Sequence, residues 1–237
     1  MFKSFCPAKI NLFLKITGKK DNYHELESLF AFLDLADELL VEKSEKFSLE
    51  ISGEFSDLVD EKDNLFTKIL NHFVEKFAIS SNLKIKIVKN IPVGAGLGGG
   101  SSNAAFFMKA LNEIFVLNLT IAEMQEISLN FGSDIAFLLQ NKASIVRGRG
   151  EIITNYLEFA TIPALLINPK IFISTTKIFQ DFDGNFSAKI DDSELLKQDV
   201  LKLTKNLEND LEKPAILNAK IIGEILKNLK SNKAKIA

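Results

Sequence analysis

The run Ile91-Pro92-Val93-Gly94-Ala95-Gly96-Leu97-Gly98-Gly99-Gly100-Ser101-Ser102-Asn103-Ala104-Ala105 holds five glycines and two serines. It lies between an alternating, strand-like segment (Leu83 to Val88) and a helix-like segment (Ala104 to Phe115). Glycine lets main-chain N–H groups come close to a ligand. A glycine loop feeding a helix adds unpaired amides and the positive end of the helix dipole, which suits a phosphate. The segment therefore reads as a nucleotide-phosphate loop. A flexible linker fits less well, because linkers seldom run from one patterned element straight into an apolar helix. No Lys-Ser or Lys-Thr follows the glycines, so the P-loop pattern is excluded. Gly94-x-Gly96-x-x-Gly99 satisfies the dinucleotide fingerprint, but that fold needs a continuously apolar, doubly covered strand before the loop. Leu83-Lys84-Ile85-Lys86-Ile87-Val88 alternates instead, and Asn90, Ile91 and Pro92 separate it from the first glycine. The dinucleotide reading fails.

Two charged residues could add chemistry to a bound phosphate. In a strand through Ala8-Lys9-Ile10-Asn11-Leu12, Lys9 and Asn11 share one face. Periodicity alone fits an ordinary amphipathic strand better, with Lys9 reaching to water. Asp134 follows Phe131-Gly132-Ser133, where a helix ends and another begins. The commonest use of Asp at such a place is as a cap. Brought together beside a phosphate loop, the pair would act differently. The cation keeps the carboxylate ionised and offsets charge on an attacking oxygen.

The elements that must position these residues form an α+β pattern, with strands grouped apart from helices. Strands are expected at Phe5–Ile16, Leu26–Leu33, Leu39–Glu42 and Phe47–Ser52, followed by a helix over Asn64–Phe77. Thr120-x-x-Glu123 is a capping box that opens a helix to about Asn130. Short strands follow at Ala143–Val146, Glu151–Thr154 and Ala164–Asn168, then helical stretches at Ser174–Phe182, Ser193–Lys205 and Pro214–Lys230. The 237 residues suffice for one large or two modest domains. With 31 acidic and 29 basic residues, dispersed and interleaved, the charge pattern gives no support to nucleic-acid binding. Cys6 is the only cysteine, so no internal disulfide can form, and with no signal segment the cytoplasm is expected. Lysines interrupt the apolar N-terminus, so no membrane span is expected there. Only His24 and His72 are available as histidine ligands, and His72, opposite an apolar helix stripe, is expected at the surface.

Several short motifs occur in order: Pro7-Ala8-Lys9-Ile10-Asn11-Leu12, Tyr23-His24-Glu25-Leu26, the glycine loop with Ser101-Ser102-Asn103-Ala104-Ala105, Gly132-Ser133-Asp134-Ile135, and Gly148-x-Gly150-Glu151. Together they resemble the small-molecule kinase superfamily of galactokinase, homoserine kinase, mevalonate kinase and phosphomevalonate kinase. Within it, Pro-Ala-Lys-x-Asn followed by Tyr-His, and the triple glycine before Ser-Ser-Asn-Ala, resemble the 4-diphosphocytidyl-2-C-methyl-D-erythritol kinase family of the non-mevalonate isoprenoid route. The resemblance runs from about Pro7 to Glu151 and resumes in Phe172–Phe179 and Asn209-Asp210-Leu211-Glu212.

This resemblance implies a two-domain α+β kinase, with an N-terminal ATP-binding domain over residues 1–157 and a C-terminal domain over 158–237. It implies transfer of the ATP γ-phosphoryl group to the 2-hydroxyl of a substrate carrying a cytidine diphosphate group. Asp134 matches the general base and Lys9 its partner cation. Pro92-Val93-Gly94-Ala95-Gly96-Leu97-Gly98-Gly99-Gly100-Ser101-Ser102 match the ATP-binding segment. Mg²⁺ is expected with ATP; Ser101 and Ser102 match residues that meet phosphate or metal, and the resemblance does not divide those roles. Asn11 and His24 match substrate contacts, and Tyr23 and Phe179 match rings that sandwich the cytosine. For Phe179, core packing is the competing expectation. The family carries a further Gly/Ser-rich turn and strand near its C-terminus. After Gly223 this chain has no glycine, so the C-terminal domain is expected to lack that motif. Another kinase of the superfamily and a non-catalytic nucleotide-binding remnant are the alternatives.

Overall fold

The computed structural model describes residues 1–21, 23–59, 64–155, 161–171, 173–191 and 208–234. It opens with two long strands, β1 (Phe2–Lys20) and β2 (Tyr23–Lys43), which pair with each other, and a short third, β3 (Ser48–Ser52). Then come α1 (Leu65–Phe77), β4 (Leu83–Val88), α2 (Gly99–Ile114), α3 (Ile121–Ser128) and α4 (Ser133–Gln140). The chain continues through β5 (Ser144–Gly148), β6 (Ile152–Asn155), α5 (Thr175–Gln180), α6 (Glu212–Asn218) and α7 (Lys220–Ser231). None of the described helices is long and apolar enough to cross a membrane.

The chain packs as two compact units: Met1–Ile10 with Phe32–Lys142, and Asn11–Ala31 with Ala143–Ala237. The sequence division at residue 157 is linear, whereas these units are discontinuous, because β1 and β2 each give one half to each unit. In the first unit, β4 runs antiparallel to the second half of β2 (Leu39 opposite Ile87) and parallel to β3 (Leu49 opposite Ile85). The central helix is α2, whose Ala104 to Met108 are all buried; α1 and α4 pack against it. The stripe Phe66, Ile69, Leu70 and Phe73 turns α1 inward, each such side chain contributing roughly 1.5–3 kcal/mol of transfer free energy. Phe66 meets Phe107 edge-on at 5.1 Å, and Phe32 stacks on Phe137 at 4.8 Å. In the second unit, β5 runs antiparallel to the first half of β2 and to β6. Phe13, Leu29 and Ile145 form one core cluster, and Leu14, Ile16 and Leu211 another. The Asn209-Asp210-Leu211-Glu212 motif clips onto β1: Asp210 N donates to Leu14 O, and its carboxylate accepts from Ile16 N at 2.7 Å.

The structure departs from expectation in several places. A single β2 replaces the strands expected at Leu26–Leu33 and Leu39–Glu42, because the buried Asp37 in the gap has its own hydrogen-bond partners and does not break the strand. The stretch 164–168 forms no strand and leaves Leu165, Leu166 and Ile167 exposed. Pro214–Lys230 is two helices broken at Ala219, which is extended. His72 is half-buried and not at the surface: its ring is edge-on to Phe131 at 5.5 Å, and its Nε2 is buried with no hydrogen-bond partner among the described residues. The helix expected at Ser193–Lys205 lies outside the described residues.

Candidate active site

The glycine loop occupies the first unit, between β4 and α2. Gly94, Gly96 and Gly98 take φ of 72°, 73° and 68°, the left-handed region that side chains resist. Alternating such residues with ordinary ones builds the anion-binding concavity of successive N–H groups found in phosphate loops. Gly98 then caps α2, which begins at Gly99, five residues earlier than the apolar pattern indicated. Ser101 and Ser102 therefore sit in the first turn, where the dipole favours anions; the Ser102 N–H donates to Gly98 O at 2.8 Å, and the amides before it are the ones without intrahelical partners. Ser101 is half-exposed; Ser102 is fully buried, and its Oγ has no hydrogen-bond partner among the described residues.

Lys9 lies against this loop. Its N–H donates to Leu97 O at 2.9 Å, and a Cβ at Gly98 would stand 2.9 Å from Lys9 Cγ. Leu97 is buried with Ala8 and Ile91, which fixes the loop on β1. The Lys9 side chain does not reach out to water: only 8% of it is exposed, and Nζ stands 3.9 Å from Asp134 Oδ2. Burial pushes its pKa below the ordinary 10.5, and the Asp134 carboxylate partly opposes that shift. Asp134 is the second residue of α4, not its cap. Gly132 holds the cap position with no side-chain hydrogen bond, so the carboxylate is not spent on the helix end. Ile135 to Leu139 are all buried and pin α4 in place, and the Asp134 side chain keeps 35% exposure. A buried ammonium, a partly exposed carboxylate and a phosphate loop are thus assembled in one unit.

The second unit holds the remaining candidates. The His24 ring stacks on Phe179 at 5.6 Å and meets Phe182 edge-on at 5.7 Å. Burial lowers the pKa of His24, and Lys19 lowers it further. Phe179 is half-buried against the Leu14, Ile16 and Leu211 cluster. Tyr23 is 53% exposed, with the Arg149 guanidinium 3.6 Å from its ring centroid. Asn11 donates to Ser28 Oγ at 2.9 Å.

Residues 64–142 match the model of the GHMP kinases N terminal domain. The 4-diphosphocytidyl-2-C-methyl-D-erythritol kinase of Caldanaerobacter subterraneus is 35% identical over 94% of this chain and 78% of its own length. The enzyme of that name from a Wolbachia of Drosophila simulans is 35% identical over 99% of this chain and 84% of its own length. The chain belongs to the 4-diphosphocytidyl-2-C-methyl-D-erythritol kinase family. It is an ATP-dependent kinase of α+β fold. A crystal structure of a 4-(cytidine 5'-diphospho)-2C-methyl-D-erythritol kinase superposes with a TM-score of 0.79 at 28% identity, covering 97% of this chain and 83% of that one. The homoserine kinase of Cytophaga hutchinsonii shares the fold, with a TM-score of 0.64 at 17% identity over 99% of this chain and 80% of that one.

For a member of this kinase family, the structure brings Lys9, Asp134 and residues Pro92 to Ser102 together, and separately His24 with Phe179. It does not pair Tyr23 with Phe179: the ring stacked on Phe179 is His24, and the group over Tyr23 is Arg149. Arg149 carried no signal beyond its place inside Gly148-x-Gly150-Glu151, a turn in which Glu151 folds back to accept from Arg149 N at 2.6 Å.

Gly100 separates access for phosphate from the needs of the backbone. A Cβ there meets nothing within 4 Å, and alanine is a better helix former by about 0.5–1 kcal/mol. Gly100→Ala is expected to melt no lower than wild type yet, if the loop holds ATP phosphates, to bind ATP about tenfold more weakly, because the methyl would crowd an anion approaching the helix amides. Titration calorimetry beside thermal unfolding checks this; unchanged ATP affinity would place the phosphates away from the start of α2.

Proposed function

We propose that this chain transfers the γ-phosphoryl group of ATP to the 2-hydroxyl of 4-diphosphocytidyl-2-C-methyl-D-erythritol, in the non-mevalonate route to isoprenoid precursors. The observation that carries this reading is the Lys9–Asp134 pair set beside the glycine loop. Asp134 accepts the proton of the tertiary hydroxyl as its oxygen bonds to phosphorus and the bond to the departing ADP breaks. Protonated Lys9, 3.9 Å from Asp134 Oδ2, opposes the charge that develops on the attacking oxygen. Loop amides and the start of α2 hold the phosphate chain in line, so that most of the acceleration comes from positioning.

The described residues include no group of three His, Cys, Asp or Glu side chains that could hold a metal by itself. The Ser102 hydroxyl at the foot of the loop, without a hydrogen-bond partner among the described residues, is a hard oxygen donor. That donor set fits a Mg²⁺ carried chiefly by ATP phosphates, with Ser101 and Ser102 as the protein's contribution. Bound there, Mg²⁺ neutralises charge on the phosphate oxygens.

Asn11, Tyr23, His24 and Phe179 are the residues assigned to the substrate, with Tyr23, His24 and Phe179 at its cytidylyl end. An exposed tyrosine ring and a stacked His24–Phe179 pair offer flat faces for a base. The cytoplasm is the proposed location, since Cys6 is the single cysteine and no internal disulfide can form. If the aromatic residues bind cytosine, methylerythritol 4-phosphate lacking the cytidylyl group is expected to show a specificity constant at least about a hundredfold lower, a loss of roughly 3 kcal/mol or more. Steady-state kinetics on both compounds decides it. Equal constants would assign the chain to a different alcohol within the same superfamily.

A further inference from the structure

Asp37, near the middle of β2, is fully buried, and Lys89 and Asn103 are almost so. All three carry hydrogen bonds to one another. Lys89 Nζ donates to Asp37 Oδ2 and, at 2.7 Å, to Asn103 Oδ1. Asn103 Nδ2 donates to Asp37 Oδ2 at 2.9 Å. The other carboxylate oxygen, Oδ1, accepts the backbone N–H groups of Asn90 at 2.7 Å and Ile91 at 2.8 Å.

The places these bonds reach matter more than their number. Asn90 and Ile91 are the last residues before the loop begins at Pro92, and Asn103 lies in α2 just after the loop ends. One carboxylate therefore grips both ends of the glycine loop. From Pro92 to Gly100 only Leu97 is buried, so few core contacts shape the loop from within. An ion pair and its hydrogen bonds are a costly way to hold a core together, since apolar side chains of similar volume often serve stability as well or better. What directional bonds add is a fixed spacing and register.

We infer that Asp37, Lys89 and Asn103 form a buried clip that sets the separation of the two ends of the ATP loop, and are thereby positioning residues for nucleotide binding. The inference rests on the loop's assignment to ATP phosphates. None of the three touches the nucleotide. They act through the backbone amides of the loop, whose spacing must match the phosphate oxygens to within a few tenths of an ångström for good hydrogen bonds.

The test uses the full chain and three variants. Asn103→Ala cuts the tie to α2 and leaves the Asp37–Lys89 pair in place. Asp37→Asn combined with Lys89→Met removes both charges together, so that neither is left buried alone. Gly98→Val breaks the loop itself and tests its assignment. For Asn103→Ala and for the double variant, well below the melting temperature, the ATP dissociation constant is expected to rise at least tenfold. The KM for the alcohol substrate should stay within twofold, and amide hydrogen exchange over residues 94–100 should quicken. If Gly98→Val weakens ATP binding while both clip variants bind ATP like wild type and merely melt lower, the trio is only a core brace and the inference is overturned. If affinities for both substrates fall in proportion, the effect is general loosening, which overturns it too. If Gly98→Val leaves ATP binding intact, the loop assignment fails and the clip with it.

Discussion

Asp134→Asn is expected to lower kcat by about two to four powers of ten while the ATP dissociation constant moves less than threefold. The amide keeps the size and most hydrogen-bonding geometry of the carboxylate, and no helix cap depends on this side chain, so the fold has no reason to suffer. What disappears is the acceptor for the hydroxyl proton and the negative partner of Lys9 Nζ, 3.9 Å away. Steady-state turnover with calorimetric ATP binding separates the two effects. Near-wild-type turnover would remove Asp134 from the role of base; a large loss of ATP affinity would make it a nucleotide ligand instead.

Lys9→Met carries the second large effect, and it runs in opposite directions for activity and stability. Burial lowers the Lys9 pKa from 10.5, so the folded chain holds this proton less tightly than the unfolded chain does. Below the folded value both states are protonated and the cost of burying the charge is present in full. That cost shrinks as pH rises through the folded value and is gone above 10.5. Methionine has similar length and no charge, so the variant is expected to melt higher than wild type at neutral pH. Its kcat should fall by about two to three powers of ten, because the cation matters most as the acceptor oxygen becomes negative. The same shift, a property of the free enzyme, is expected to place the alkaline limb of the wild-type kcat/KM below the ordinary lysine range. Unchanged kcat with a raised KM would make Lys9 a binding residue, and a lower melting temperature would contradict the burial cost.

The parts of this protein that the sequence discloses are those written in short stretches of chain. Glycines at alternate positions announce the left-handed turns of the loop, and Thr120 with Glu123 announces its capping box, whose bonds are present in both directions. The apolar stripe of α1 follows from its 3.6-residue period. Lys9 was legible only by resemblance: strand alternation says which face it shares, and nothing local says that the face is covered. The Asp37–Lys89–Asn103 clip was invisible for a related reason, since its partners lie 52 and 14 positions apart and an aspartate in a strand reads as an interruption. Burial of Asp37 with a full set of partners is also why β2 runs on where two strands were expected. Residues 164–168 have the composition of a strand, but a strand needs a neighbour to pair with, and composition does not supply one. Arg149 over Tyr23 and His24 on Phe179 depend on side chains meeting across distant segments, which no period or spacing encodes.

Phosphorylation of the 2-hydroxyl of a cytidylyl-linked methylerythritol by this chain can be read from the product itself by phosphorus NMR of the reaction mixture. With purified protein, ATP, Mg²⁺ and 4-diphosphocytidyl-2-C-methyl-D-erythritol, one new phosphomonoester resonance is predicted to grow as ADP forms in equal amount. The diphosphate resonances of the cytidylyl group should persist, and Asp134→Asn protein should yield almost no product in the same time. ADP formation with no new phosphomonoester, or a product phosphorylated at another hydroxyl, would contradict the account.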